Sequence, residues 1–412
     1  MSEAAAPLGV GMVGYAFMGA AHTQAWASAG RFFDLPLVPA MTALCGRDAA
    51  AATAAASRLG WASVETDWKQ LITRDDIALV DICTPGDTHA EIAIAALEAG
   101  KHVLCEKPLA NTVAEAEAMA DAARRAATRG VQAMVGFTYR RVPAIALARK
   151  LVADGRLGEV RHVRAQYLQD WIVDPEFPLV WRLQKDRAGS GALGDIGAHI
   201  IDLAQHVTGA AITGVSALTE TFVRERPLPG ASAGASAGLS ASGGTGTGQV
   251  TVDDAALFTA RFDSGAVGSF EATRFASGRK NAIRLEVNGS AGSLAFDFES
   301  MNELWFHDHT LDAETAGFRR IYVTEAEHRY AGAWWPPGHG LGYEHSFTHQ
   351  AVDLVRDLAA GRPPSPSFDD GLQVQRVLEA VERSAADRSC WTSVPAGPRP
   401  TSAPTSAPLM RS

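Results

Sequence analysis

Short apolar runs alternate with alanine-rich stretches through the first 136 residues, and this alternation constrains the fold more than any other feature of the chain. The apolar runs at residues 8–13, 38–45, 79–83, 102–105 and 132–136 predict strands, and the stretches at 48–59, 88–99 and 113–128 predict helices. Strands that are apolar throughout must be buried on both faces, which is the condition of a parallel sheet covered by helices. The N-terminal part is therefore expected to be a doubly wound α/β unit.

The pattern changes after Val142. A helix is expected to residue 154, then a long strand at 159–171, with further strands at 212–220, 255–262, 266–273, 284–289 and 293–298 on short turns such as Asp263-Ser264-Gly265. Consecutive strands joined this tightly imply a large, mainly antiparallel sheet in an α+β second domain. The expected boundaries are 1–139 for the first unit and 140–394 for the second. Residues 230–248 are nearly all Gly, Ala, Ser and Thr and read as a flexible insertion, and residues 395–412 as a disordered tail.

Residues 4–30 carry no charged side chain, but their glycines, with His22, Thr23, Gln24 and Ser28, argue against a membrane segment. With 37 basic against 46 acidic residues the net charge is -9, so no general attraction to nucleic acid or anionic membrane is expected. The cysteines Cys45, Cys83, Cys105 and Cys390 have neither zinc-site spacing nor the density of a disulfide scaffold. A cytoplasmic protein without a bound metal is the expectation; His307-Asp308-His309 lacks a recognisable third ligand and reads as an exposed turn.

The first predicted strand ends in Gly14-Tyr15-Ala16-Phe17-Met18-Gly19 and runs into a helix, the setting of a dinucleotide-binding turn. Ala16 stands where the second glycine of that fingerprint lets backbone amides approach a pyrophosphate. The second strand ends in Gly46-Arg47-Asp48 instead of in the acid that holds an adenosine ribose. Gly46 would open space and Arg47 would pair with a 2′-phosphate, which tips the reading slightly toward NADP; Asp48 reaching the ribose would preserve NAD.

Two further clusters fall at predicted strand ends, where an open parallel sheet binds ligands: Thr84-Pro85 with His89 downstream, and Glu106-Lys107-Pro108. The latter, followed by Gly189-Ser190-Gly191-Ala192-Leu193-Gly194-Asp195-Ile196-Gly197-Ala198-His199, resembles the two signatures of the Gfo/Idh/MocA oxidoreductases. The resemblance runs from about Gly9 to Val394 and extends to Tyr167 through Trp171 and to the pair Trp181-Arg182. It implies a nicotinamide-dependent dehydrogenase of a sugar, anhydrosugar, glycoside or polyol. It also implies a homodimer or homotetramer joined through the second domain's sheet, Lys107, Asp195 and His199 as catalytic residues, and a Pro108 that places the lysine through a cis peptide bond. Gly14, Ala16, Phe17, Met18, Gly19, Gly46, Arg47, Thr84, Pro85, His89, Glu106, Lys107, Trp181 and Arg182 are then the candidate cofactor-binding residues.

The chemistry of these residue types agrees. Oxidising a secondary alcohol needs a base for the hydroxyl proton, which suits His199, and a cation for developing alkoxide character, which suits Lys107. Asp195 lies four residues before His199, one turn away on the same face if 192–207 is a helix, and would orient the imidazole. Alternation puts Tyr167, Gln169 and Trp171 on one face, either as a platform for a sugar ring or as ordinary sheet packing. Tyr139, Gln169, Trp171, Asp195 and His199 are the candidate substrate contacts, whereas Arg140 and Arg141 would equally brace the two domains. Two other functions fit the resemblance: a redox glycosidase that keeps its nicotinamide bound, and a non-catalytic dinucleotide sensor. The intact Lys107, Asp195 and His199 argue against the sensor.

Overall fold

The structure is a computed structural model and describes residues 6–230 and 243–395. Its first sheet is parallel with strand order β3-β2-β1-β4-β5-β6, formed by β1 Ala6–Val13, β2 Leu37–Cys45, β3 Ser63–Glu65, β4 Leu79–Ile82, β5 His102–Cys105 and β6 Ala133–Val135. Helices α1 Phe17–Phe32, α2 Ala49–Leu59, α3 Trp68–Ile72, α4 His89–Glu98 and α5 Val113–Ala127 make the crossovers. Alternate strand residues feed two separate cores. Val80, Ile82, Val103, Cys105 and Val135 pack among α4 and α5, while Leu79, Leu104 and Met134 pack with Val10 and Met12 against Trp26 and Ala29 of α1. This division explains the apolar runs, since the strands β4, β5 and β6 are buried on both faces. The short β3 escaped the sequence pattern because Ser63-Val64-Glu65 lies at the half-buried edge.

The second sheet has nine strands in the order β16-β15-β14-β13-β7-β12-β11-β8-β17. They are β7 Val160–Leu168, β8 Ile212–Glu220, β11 Ala255–Phe262, β12 Val267–Thr273, β13 Ala282–Gly289, β14 Gly292–Asp297, β15 Glu303–Asp308, β16 Arg319–Tyr322 and β17 Thr392–Ser393. A separate pair, β9 Glu225–Pro229 and β10 Gly243–Gln249, forms a hairpin. The large sheet is mixed, for β12 pairs with β7 in parallel and every other pair is antiparallel. Helices α6 Pro143–Ala153, α7 Lys185–Ala188 and α8 Ala198–Thr208 precede most of it; α9 Tyr343–Ala359 and α10 Phe368–Ala386 follow. Phe347, Ala351 and Val355 of α9 join the core over α1, so the chain returns to the first sheet after building the second.

Two expectations change. Residues 243–248 are not unstructured, because β9 offers their backbone a ladder and Gly248 lies against Leu179 and Leu228; residues 231–242 of the same expected insertion, and 396–412 of the expected tail, lie outside the described residues. The long strand stops at Leu168 rather than 171, although the Gln169 amide still donates to the Thr273 carbonyl at 2.9 Å.

The turn after β6 carries Arg140, whose guanidinium donates to Asp202 of α8 at 2.9 Å and reaches Asp370 of α10 at 3.4 Å. All three side chains are buried, so this contact ties the end of the first sheet to the helices under the second. Replacing Arg140 by Met should destabilise the protein by about 3 to 5 kcal/mol, because Asp202 and Asp370 would be left buried without their cation. Urea unfolding of the variant beside the parent protein measures this.

Candidate active site

The turn after β1 is shaped to receive an anion. Gly14 has φ +97°, and a Cβ there would lie 2.8 Å from the Cys83 carbonyl oxygen, so both its conformation and its neighbour demand glycine. Ala16 is the N-cap of α1 at φ -71°, an ordinary conformation for alanine, and no side chain caps the helix. The first turn of α1 holds no acid, which leaves its amides and positive dipole end for a ligand phosphate. Phe17 is exposed and stacks on Tyr343 with ring centroids 6.2 Å apart.

Beyond β2 the expectation for Gly46 changes. A Cβ on Gly46 would come within 2.0 Å of the Tyr15 ring, so the glycine makes room for Tyr15 and not for a phosphate. Asp48 is engaged as the N-cap of α2, accepting from the Ala51 amide at 3.0 Å, and Arg47 is exposed. The lean to NADP therefore finds no support. His89 is also reassigned: it is buried with its two ring nitrogens 2.9 Å from the carbonyl oxygens of Thr84 and Pro108, so it braces the loops after β4 and β5 and does not face a cofactor. Thr84 accepts from Thr88 at 2.7 Å, and Pro85 precedes that short turn.

Lys107 follows β5, and its peptide bond to Pro108 is cis. Its Nζ donates to the Asp195 carbonyl oxygen at 2.9 Å and lies 3.5 Å from the carboxylate. Asp195 sits in a π-helical turn, Leu193–Gly197, that leads into α8, so the expected regular helix is widened between Asp195 and His199. Arg274, fully buried at the end of β12, reaches the other oxygen of Asp195 at 3.7 Å. Burial alone would raise the Asp195 pKa, but Lys107, Arg182 and Arg274 outweigh it and hold the carboxyl at about 2.

His199 lies against three rings, with centroids 4.7 Å from Tyr139, 5.8 Å from Tyr167 and 6.1 Å from Phe137. Among the described residues it makes no hydrogen bond through its ring, so Asp195 supports it through the electrostatic field and not by the contact expected from sequence. Burial, then the Lys107 cation, push the imidazole pKa well below 6.5 against the opposing pull of Asp195. At neutral pH His199 is an uncharged base facing a paired cation.

Beside His199 a polar chain runs from Trp171 to Tyr139. Trp171 Nε1 donates to Gln169 at 3.0 Å, Gln169 Nε2 to Asn281 Oδ1 at 3.0 Å, and Tyr167 to the same Asn281 oxygen at 2.6 Å; the Tyr167 and Tyr139 hydroxyls are 2.9 Å apart. Tyr167, Gln169 and Trp171 are thus connected, with Asn281 as the joint. The buried Tyr139 bears on the site through the His199 ring, its hydroxyl being committed to Tyr167. Arg182 stacks on Trp181 at 4.4 Å. The loop carrying these residues is held from below by Arg226 of β9, which donates to the carbonyl oxygens of Ile172, Asp174 and Phe177 at 2.7, 2.8 and 3.2 Å. Sequence reasoning missed Asn281, Arg274 and Arg226; only Arg274 carried a usable sign, a cation just past the end of a strand.

Residues 8–137 match the description "Oxidoreductase family, NAD-binding Rossmann fold", and residues 145–295 match "GFO/IDH/MocA C-terminal domain". The chain belongs to the Gfo/Idh/MocA oxidoreductase family. It is 44% identical to levoglucosan dehydrogenase of Pseudarthrobacter phenanthrenivorans over 391 residues, 94% of this chain and 98% of that protein. A crystal structure of an oxidoreductase domain protein from Kribbella flavida superposes with TM-score 0.90 at 68% identity, covering 95% of this chain and all of that one. Levoglucosan dehydrogenase in complex with NADH and levoglucosan superposes with TM-score 0.87 at 42% identity, covering 95% and 100% of the two chains. This Gfo/Idh/MocA protein is accordingly an oxidoreductase with an NAD-binding Rossmann fold, and the open amides of α1 beside Gly14 fit that cofactor.

Because burial and Lys107 lower the His199 pKa, a reaction that uses it as base should keep its acidic limb below that of an ordinary histidine. Lys107→Gln removes a charge that opposes protonation of His199 and should move that limb upward, whereas Asp195→Asn removes one that favours it and should move the limb downward. Rate profiles of the three proteins against pH check both signs.

Proposed function

We propose that the protein is an NAD-dependent dehydrogenase that oxidises one secondary hydroxyl of a neutral anhydrosugar or glycoside, with His199 as base. The arrangement that carries this reading is Lys107 beside Asp195 with an uncharged His199 adjoining them. The likeness to levoglucosan dehydrogenase supports the substrate class, and the relatives solved with NADH, together with the Tyr15 ring over Gly46, support NAD. Residues 1–139 would bind the cofactor, and residues 140–394 the substrate and a second subunit.

When bound, the nicotinamide supplies the hydride acceptor. Gly14, Ala16, Phe17, Met18 and Gly19 would hold the pyrophosphate, with Thr84, Pro85 and Glu106 beside the nicotinamide end. Lys107 hydrogen-bonds the reacting oxygen and stabilises its alkoxide character, while an imidazole nitrogen of His199 takes the hydroxyl proton. Asp195 fixes Lys107 and stabilises the imidazolium so formed. Trp171 and Gln169 position the ring that carries the hydroxyl, and the Trp181-Arg182 pair would contact the cofactor.

With levoglucosan among a panel of sugars, NAD should support turnover better than NADP, and Arg47→Ala should leave the affinity for NAD within about threefold. Turnover of His199→Ala should fall by about 10² to 10⁴ while NAD affinity stays nearly constant. A variant that keeps parental turnover and its acidic limb would make the histidine structural.

The outer face of the large sheet supports an oligomer. Leu218 and Leu257 are directly opposed on β8 and β11, and with Trp305 they stand 63%, 47% and 39% exposed. A sheet covered by helices on one face, with exposed leucines and a tryptophan among paired charges on the other, is completed by a second copy of the chain. Light scattering at micromolar concentration should give the mass of two or four chains, and Leu257→Arg should lower it; a monomeric parent protein would overturn this reading.

A further inference from the structure

A buried chain of charges lies beneath the strand ends and outside the catalytic groups described above. His22 of α1 points into the sheet with Nδ1 2.9 Å from Asp81 Oδ1 of β4 and Nε2 3.0 Å from Glu106 Oε1 after β5. His22, Asp81 and Glu106 are 1%, 0% and 4% exposed. Asp81 also accepts from Trp26 Nε1 at 2.7 Å and from the Cys83 thiol at 3.6 Å, and the second oxygen of Glu106 accepts from the Lys107 amide at 3.2 Å. Trp26 Nε1 and the Lys107 amide donate to Asp81 Oδ2 and Glu106 Oε2, so that Asp81 Oδ1 and Glu106 Oε1 turn to the two ring nitrogens of His22. Only a doubly protonated imidazole can donate to both acids at once.

We propose that Asp81, His22 and Glu106 form a permanent anion–cation–anion chain of net charge -1, with His22 as a positioning residue, that biases the site toward the oxidised, cationic nicotinamide over the reduced, neutral one. Glu106 is the link to the site. Its amide neighbour is Lys107, and its charge reaches the hydroxyls of Tyr139 and Tyr343, the former packed on His199. A charge fixed in such a dry setting acts at a distance that water would screen. Burial works against a charged His22, yet Asp81 and its surroundings raise its pKa well above 6.5, in agreement with the geometry. His22, Asp81 and Cys83 have the spacing of a metal cage, but their atoms already satisfy one another. The inference rests on the nicotinamide reading of the site.

The test has two readouts. In NMR of the intact protein at pH 8, His22 should show both ring nitrogens protonated, assigned by loss of the signals in His22→Gln; a singly protonated or metal-bound ring would overturn the proposal. Calorimetry with NAD⁺ and NADH should then give opposite shifts for two variants. Glu106→Gln removes the negative charge, keeps an acceptor for His22, and should lower the ratio of the NADH to the NAD⁺ dissociation constant about tenfold. His22→Gln removes the positive charge and should raise that ratio about tenfold, which lowers the potential of the bound couple by about 30 mV. Equal weakening of both nucleotides in both variants would reduce His22 to a packing role. Should His22→Gln not fold, assignment of the His22 ring through its backbone resonances in the parent protein, together with Glu106→Gln, still decides. Absence of binding of either nucleotide to the parent protein would remove the cofactor reading and this proposal together, an outcome distinct from an unchanged ratio.

Discussion

The bond from Lys107 Nζ to the Asp195 carbonyl oxygen is the contact on which the site depends. It joins the end of β5 in the parallel sheet to the π-turn that opens α8, so the lysine comes from one layer and the histidine from the other. An exposed pair of this kind would add little stability, about 0 to 1 kcal/mol. Here the lysine is 13% exposed, and its value lies in registering two independently formed elements to within a hydrogen bond. The buried contact of Arg140 with Asp202 repeats the arrangement one layer deeper, so the relative placement of the two sheets is fixed twice along α8. Motion between the layers would have to break both.

Much of this was legible in sequence because it follows from local period. The apolar runs identified five of the six parallel strands, and turn residues identified most of the antiparallel ones, since each depends on which face of a strand meets a core. The strand-end motifs were legible through resemblance, not through pattern. Partner identity was not legible. His22 finds Asp81 after 59 residues and Glu106 after 84, and nothing in the spacing of those three announces the pairing. His22 is conspicuous only as a polar residue in a charge-free stretch, and Asp81 as an acid between Val80 and Ile82. Asn281 and Arg226 act through groups that the chain brings together from different elements, and the glycine-rich β10 has strand geometry only because β9 lies beside it.

The electrostatics separate two tasks that the sequence had joined. Asp195 read as the partner of His199; in the structure it is the partner of Lys107 and Arg274 and affects the histidine through its field. Asp195 is therefore a fixed counter-ion: a carboxyl held at about 2 by surrounding cations cannot serve as a base at neutral pH. With Asp195 committed and Lys107 donating to it, His199 is left as the group beside them able to accept a proton.

That assignment has a cost which the neighbouring groups must offset. An imidazole packed among Tyr139, Tyr167 and Phe137 and depressed by the Lys107 cation is a weaker base than a free histidine, so it takes a proton with less driving force. In the proposed mechanism the same cation acts in the opposite sense on the substrate, because a lysine ammonium against the reacting oxygen would make its hydroxyl a stronger acid. In that mechanism Lys107 would thus weaken the base and strengthen the acid together, with the imidazole uncharged until it is used. Asp195, opposing the lysine at His199, would then lower the energy of the imidazolium that this mechanism forms only as the reaction proceeds. An interaction that strengthens only when charge develops favours the transition state over the bound substrate, which is the condition for raising turnover and not merely affinity.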